Sequence, residues 1–434
     1  MPATLAKPPE ECPAASRPGQ SPVIALADPR WFGHHPTYFK EFTASFLRLG
    51  CRVLAFCQNP AEAAAFAEDW CKADGRRAAE WFRAAALPDP NKSYLIPGRD
   101  HDPLSTAIRW RRLRAALREA ERASGWRADA AFLAFLDAYI RFLPHHHLAE
   151  ASVGIPWSGL YFRNHHLGSE GTGALGALRR FAKGDARLRS LSCAAIGVLD
   201  ERFDPALSAA SRGTPIIHFP DITDEAMPDE PTPLAREILR RASGRKVVGL
   251  IGLEKRKGFL TLLRAALGPS ADDPLFFVCA GQLGRPTLTG ADLAFLDRAA
   301  KAENVFLDLD GARIPDGAEF NAVMAAMDIV FAAYEAFPGS SNTLTKAALV
   351  ERPVLGSRGG CIEHRISEFG LGICIDEGDE IQCAAALRQL ASGKDWSGDP
   401  LRPRYADYRA AHSRQRMDEA LGEFLAAAGV RRPV

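Results

Sequence analysis

No CxxC pair occurs among the nine cysteines, which are scattered at Cys12, Cys51, Cys57, Cys71, Cys193, Cys279, Cys361, Cys374 and Cys383. Several lie inside apolar runs, such as Cys279 in LFFVCAG. That pattern speaks against a zinc site or a disulfide framework and for buried free thiols in a reducing compartment. No apolar stretch reaches the roughly 18 to 20 residues of a membrane span. The first residues, MPATLAKPPEECPAASRPGQ, are rich in Pro and Ala and carry no apolar signal core, so 1–20 is expected to be a disordered lead-in. Net charge is nearly absent: 54 Lys+Arg against 53 Asp+Glu give +1. A general nucleic-acid binder needs a net basic surface, so no nucleic-acid partner is expected, while a local basic patch stays open. There is no internal repeat and no long low-complexity tract. A cytoplasmic protein is expected, either free or peripheral at the inner face of a membrane.

What is present is ordinary globular composition: 434 residues, 47% hydrophobic and 25% charged, enough for two or three domains. Val23 to Ala27 reads as a buried strand, followed by a loop with Gly33 and a helix from about Pro36 to Leu49. Phe39, Phe42, Phe46 and Leu49 recur along it at helical spacing, and Gly50 stops it before the strand CRVLAFC. This is a βαβ unit, which predicts a parallel sheet. AAFLAFL (130–136), WSGLYF (157–162), CAAIGVL (193–199) and PIIHF (215–219) bring the first half to six strands. The stretch 220–233, PDITDEAMPDEPTP, has no periodicity and reads as a linker. A second βα series then runs through KVVGLIG, LFFVCAG, NVFLDL, DIVFAA, PVLGS and LGICID. A terminal helix is expected over 404–428. The domains predicted are 21–222 plus that helix, a linker at 223–233, and 234–403. The fold class is α/β, two Rossmann-like doubly wound parallel-sheet domains facing a cleft, with the last helix crossing back to the first.

Two stretches of the second half suit an anion. In VVGLIGLEKRKGFLTLLRAAL, Arg256 and Lys257 precede Gly258 and a helix. Cations at a helix N-terminus oppose its macrodipole, and a bound phosphate would reconcile them; a solvated basic turn is the plain alternative. In EAFPGSSNTLTKAAL, Ser340, Ser341 and Asn342 are good N-cap residues whose neighbouring amides suit a diphosphate, with Lys346 one turn inside. Every helix needs a cap, so this signal is weak alone. In the first half, GHHPTYF places Gly33, His34, His35 and Tyr38 after the first strand. A histidine there suits general-base work or contact with a substrate, against the plain reading of a surface loop. YFRNHHLG follows a strand end and offers Arg163, His165 or His166 for contact with a substrate, against the favoured reading of a satisfied loop, and PHHHL (144–148) is a loop rather than a metal site. RWRRLRAALREAER (109–122) and RRFAKGDARLR (179–189) read as solvated helix faces or as patches for a membrane or polyanion.

The order of these elements resembles the nucleotide-binding domain of GT-B glycosyltransferases, above all the large retaining family that uses UDP- or GDP-sugars (glycosyl transferases group 1). The stretches that carry it are RKGFLTLLRAA, FVCAGQ, YEAFPGSS…KAALVERPVLGSRGGCIEH and LGICI, covering about 245–380. GHHPTYFKEFTASFLRLGCRV matches the family's glycine loop and first helix more loosely. There are departures. The family has two glutamates eight positions apart, the second seven before a proline; counting back from Pro353 gives Lys346 and then Pro338, with Glu335 three residues early. Gly252 to Lys257 is five positions where six is usual, so Arg256 stands in for the family's arginine. A lysine cannot accept two ribose hydroxyls as a carboxylate does. It either reaches a donor phosphate, the favoured reading, or turns away to an acid such as Glu335.

The resemblance implies a metal-independent glycosyltransferase moving a sugar from a nucleotide-activated donor to a glycan, lipid or small-molecule acceptor, as in polysaccharide biosynthesis, without a cofactor. Arg256, Lys257, Glu335, Ser340, Ser341, Asn342 and Lys346 would serve the donor. His35 and His34 would be catalytic, and Gly33, Tyr38 and Arg163 would face the acceptor. No acidic DxD-type motif stands out as a metal site. The alternatives are a degenerate GT-B scaffold that binds a sugar nucleotide or partner without turnover, and a sugar-nucleotide epimerase.

Overall fold

The computed structural model describes residues 21–88, 94, 102–140, 153–162, 192–203, 208, 211, 213–268, 275–308 and 311–431. The expectations for 1–20, Arg163, His165, His166, the 144–148 histidines and the basic run 179–189 lie outside them. The chain divides into two compact units, one running to Phe219 and resuming at Met417, the other Pro220–Arg416.

The first unit holds a seven-stranded sheet: β1 (Val23–Ala27), β2 (Arg52–Cys57), β3 (Phe82–Ala86), β4 (Ala130–Leu133), β5 (Trp157–Tyr161), β6 (Ile196–Val198) and β7 (Ile216–His218). Their order is β3-β2-β1-β4-β5-β6-β7, and every pairing is parallel. β1, β2, β4 and β5 are apolar almost throughout because helices cover a parallel sheet on both faces. β3 was not expected. Its sequence, FRAAA, is mostly alanine with one arginine, and residues of low strand preference form it because it is an edge with four of its five residues partly buried or exposed. Gly159 fits beside β4 only without a side chain, since a Cβ would lie 2.2 Å from the Leu133 carbonyl oxygen.

The second unit holds β8 (Lys246–Leu253), β9 (Leu275–Leu283), β10 (Val305–Leu307), β11 (Ile329–Ala332), β12 (Val354–Ser357) and β13 (Gly372–Ile375), in the parallel order β10-β9-β8-β11-β12-β13. All six strands read from the sequence are present. Apolar clusters fill both faces, one centred on Val330, Val354 and Ile366, the other on Phe259, Phe277 and Leu387. Strand order reverses between β1 and β4 in the first sheet and between β8 and β11 in the second. Such switch points leave a crevice at the carboxyl ends of the strands, where open α/β sheets take ligands.

The terminal helix is two helices, Tyr405–Ala411 and Arg414–Ala427. Ser413 ends the continuity: its Oγ accepts the Arg416 amide at 3.2 Å, as an N-cap does. Beyond it, Asp418 binds Ser45 and Arg48, and Phe424 packs on Phe46 and Phe132 of the first unit. His412, just before Ser413, accepts the Asp221 amide on Nδ1 at 3.0 Å and packs at a tilt against Tyr408. Burial, and then the Arg365 charge, push this imidazole well below the usual histidine range. The unfolded chain therefore binds a proton that the folded one refuses, and stability falls as pH drops below about 6.5, by at most about 1.4 kcal/mol per pH unit. His412→Asn is expected to flatten the loss of melting temperature between pH 6.5 and 5; an unchanged slope would assign the loss to other groups.

Candidate functional site

In the second unit the switch point is built from three loops. After β8, residues Lys255–Lys257 form one 3₁₀ turn, Gly258 takes φ 73°, and helix Phe259–Ala266 begins. Gly258 is obligatory: a Cβ would stand 2.3 Å from the Ala333 carbonyl oxygen. The Lys257 ammonium donates to the Ile251 carbonyl at 2.9 Å across Gly252, where a Cβ would lie 2.7 Å from Nζ. Gly252 has φ 82° and marks a register shift between β8 and β9. Arg256 is exposed; its Nε meets Glu254 at 2.7 Å and its guanidinium lies 5.1 Å over the Phe337 ring. Lys255, which carried no expectation, pairs with Asp292 at 2.8 Å, and that hydrogen bond holds the Asp292 carboxyl down at about 2.

After β11 the chain enters the loop that holds Glu335. Its amide donates to the Arg256 carbonyl at 2.8 Å, and its carboxylate accepts the buried Thr261 hydroxyl at 2.9 Å. Glu335 is thus tied to the basic turn and to the first turn of helix Phe259–Ala266. Ala336 follows at φ 50°, a strained conformation for a residue with a Cβ. Tyr334 hydroxyl meets Thr343 Oγ1 at 2.8 Å and Ser341 Oγ at 3.2 Å, and Ser341 caps helix Asn342–Leu349. After β12, the amide of Cys361, first residue of helix Cys361–Phe369, donates to the Pro338 carbonyl at 2.9 Å. Gly360 lets that loop approach, since a Cβ would lie 3.3 Å from the Pro338 oxygen. The amino termini of three helices, starting at 259, 342 and 361, therefore meet around 335–341. Each carries partial positive charge, and Arg256 and Lys257 add two cations.

Two expected donor groups are engaged otherwise. Lys346 is buried, 4% exposed, with its ammonium 2.7 Å from Asp316 Oδ1, 3.1 Å from Asn321 Oδ1 and 4.7 Å from the Phe320 ring centre. It turns to an acid, Asp316 rather than Glu335. The Asn342 side-chain amide donates to the Ile222 carbonyl, and Asn321 donates to the Asp224 and Ala226 carbonyls. So 222–226, read from sequence as part of a linker, is tied down by the helices on which the site is built. Thr261, Asp316 and Asn321 escaped sequence reasoning because single polar residues inside or before apolar helices carry no pattern.

In the first unit the corresponding loop follows β1. Gly33 takes φ 65°, and helix His35–Arg48 starts directly after His34. His34 is exposed and stacks on the buried His35, ring centres 5.1 Å apart. His35 Nδ1 lies 2.9 Å from Oδ2 of Asp28, which is 1% exposed. The Arg30 amide donates to the other carboxylate oxygen at 2.9 Å. Burial raises the Asp28 carboxyl against the pull of His35 and Arg30. Phe162 packs on both histidines, and Phe135 meets His35 edge-on. Tyr38 is 3% exposed and packs on His34, Phe42 and Phe162, so it supports the loop rather than presenting a surface. Asp28 was missed because seven residues separate it from His35 and only the turn brings them together.

The described cysteines are buried and in no disulfide, and burial pushes the thiols of Cys57, Cys279, Cys374 and Cys383 up to about 12, which makes those four inert. Among the described residues no helix is long and apolar enough to cross a membrane. In the basic run 109–122, Arg109, Trp110, Leu113 and Leu117 are buried, leaving Arg111, Arg118 and Arg122 exposed.

No protein-family model and no curated protein sequence matches this chain. Solved structures do. HepE of Anabaena, in complex with UDP and glucose, is 14% identical with a TM-score of 0.61, covering 94% of this chain and 100% of its own. A glycosyltransferase of Rickettsia africae ESF-5 is 11% identical at TM-score 0.63, covering 94% and 99%. WaaG, a glycosyltransferase involved in lipopolysaccharide biosynthesis, is 16% identical at TM-score 0.54, covering 94% and 98%. The chain has the GT-B fold found among nucleotide-sugar-dependent glycosyltransferases.

Proposed function

We propose that the protein is a glycosyltransferase that takes its sugar from a nucleoside diphosphate donor, with UDP the first nucleotide to try. The observation that carries this reading is the meeting of three helix amino termini with Arg256 and Lys257 at the switch point of the second sheet. Helix amides and fixed cations suit a diphosphate, and they favour the charge that grows on it as the glycosidic bond breaks. UDP stands first because HepE binds UDP. In this reading Lys257 and Arg256 hold the diphosphate with the amides beside Ser340 and Ser341, and Glu335 accepts hydroxyls of the sugar or ribose. The reaction proceeds without a metal because these groups supply the positive charge. His34 and His35 meet the acceptor from the first unit. The exposed Arg111, Arg118 and Arg122 give the first unit a basic face for the inner surface of an anionic membrane.

Lys346 favours a second reading, a scaffold that binds a sugar nucleotide without turnover, because it puts a buried cation where the resembled family has an acid. Thermal-shift measurements with UDP, GDP, ADP and dTDP, followed by release of free nucleotide from the matching sugar nucleotides, separate the two. An enzyme shows both a shift and release; a scaffold shows the shift alone. Absence of any shift would sink both.

A further inference from the structure

Among the described residues, three that are not glycine take a positive φ: Ser243 at 49°, Ala336 at 50° and Glu351 at 53°. Ser243 and Glu351 stand at the ends of helices Pro233–Ala242 and Asn342–Leu349, where a left-handed residue commonly closes a helix. Ala336 closes no helix. It is exposed, in the loop after β11, between Glu335 and Phe337. In this region the Cβ crowds a neighbouring carbonyl oxygen, so an unrestrained alanine leaves it for negative φ.

The Ala336 amide donates to Glu377 Oε2 at 2.8 Å, across 41 positions of sequence. Glu377 is exposed, yet the loop after β13 that carries it is well fixed. Asp376 accepts Arg358 on Oδ1 and Gln382 on Oδ2, both at 2.8 Å. Asp379 caps helix Glu380–Ala391 through the Ile381 and Gln382 amides. On either side of Ala336 the chain is anchored as well. Glu335 is tied to the Arg256 carbonyl and the Thr261 hydroxyl, and the Phe337 ring packs on Tyr334 and under the Arg256 guanidinium. The strained residue is thus the joint between two held neighbours, and its own bond comes from a third loop.

We propose that Glu377 is a positioning residue for donor binding: by holding the Ala336 amide it keeps this turn left-handed and the Glu335 carboxylate in place for hydroxyls of the donor. The inference rests on the glycosyltransferase reading above. Without that bond water takes the exposed amide, Ala336 relaxes toward negative φ, and the peptides on both sides of it rotate. Donor binding then has to restore the turn, and the apparent affinity falls by the fraction of molecules that still hold it. The preference of alanine against the left-handed region sets that loss at roughly tenfold.

The test uses the full chain as Glu377→Ala, Glu377→Gln, Ala336→Gly, and Glu377→Ala combined with Ala336→Gly. Melting curves check that each variant is folded. Hydrogen–deuterium exchange over 334–340, measured without nucleotide, should quicken several-fold in Glu377→Ala. It should stay near wild type in Glu377→Gln, whose side-chain oxygen still accepts the amide. With whichever sugar nucleotide the wild type consumes, KM for the donor should rise about tenfold in Glu377→Ala, while kcat changes less than about threefold. In the Ala336→Gly background the same Glu377→Ala change should raise KM less than about threefold, because glycine takes this φ without strain. Unchanged exchange or an unchanged KM in Glu377→Ala overturns the proposal. So does a loss in Glu377→Gln as large as in Glu377→Ala, which would make charge rather than the hydrogen bond responsible. A tenfold loss that persists in the Ala336→Gly background also overturns it, because Glu377 would then act elsewhere than on the strained turn. If no sugar nucleotide is consumed, the glycosyltransferase reading falls by itself, and exchange, which needs no donor, still decides whether Glu377 holds Ala336.

Discussion

Lys346→Glu is expected to destabilise the second unit by about 3–5 kcal/mol, lowering its melting temperature by about 6–20 °C. In the native fold this ammonium is 4% exposed and lies 2.7 Å from the Asp316 carboxylate. A glutamate would bring a second carboxylate against the first, its own end enclosed at a position that is 4% exposed. It would also remove the cation from the Phe320 ring and the donor to Asn321. Asn321 in turn holds 224–226, so the damage spreads to the entry of the unit. Lys346→Met should lose much less. Asp316 is 33% exposed, and water can take over its hydrogen bonds while the methionine fills the same space. A glutamate would match the acid of the resembled family by sequence, yet it should weaken nucleotide binding rather than improve it. Thermal denaturation of the two variants decides this. Equal melting temperatures for wild type and Lys346→Glu would mean that the ammonium is not buried against Asp316.

Lys257→Ala should weaken UDP binding by about 1.5–3 kcal/mol, roughly 10- to 150-fold, the scale of a hydrogen bond to a charged group. Folding should suffer little. The lysine is only partly buried, and among the described residues the bond lost is the single one from its ammonium to the Ile251 carbonyl. Titration calorimetry with UDP reads the affinity, and a melting curve without nucleotide checks the fold. Unchanged affinity would make the Lys255–Lys257 turn a solvated surface feature.

The sequence went far on the fold of the second unit because its strands are short apolar runs separated by helices and punctuated by glycines. It missed β3, where alanines carry no strand signal, and it ran one helix through Ser413, whose capping role depends on the Arg416 amide. For the site, the basic turn and the Glu335 loop were legible because they follow strands and precede helix starts. The partners of Lys346 and Asn342 were not. Asp316 lies 30 positions before Lys346 and Ile222 lies 120 before Asn342, and no local pattern encodes such contacts. The distinction matters chemically. Cap residues and a lysine near an anion-friendly helix start look alike in sequence whether they serve a ligand or the fold, and only the hydrogen-bond partners tell them apart.

The central claim is that a nucleoside diphosphate sits at the switch point of the second sheet. A crystal structure of the full chain with UDP tests it most directly. The account predicts the diphosphate oxygens within hydrogen-bond distance of Lys257 Nζ and of the backbone amides that begin helix Asn342–Leu349, with Lys346 still on Asp316. UDP bound elsewhere, or a diphosphate contacted by Lys346, would contradict it.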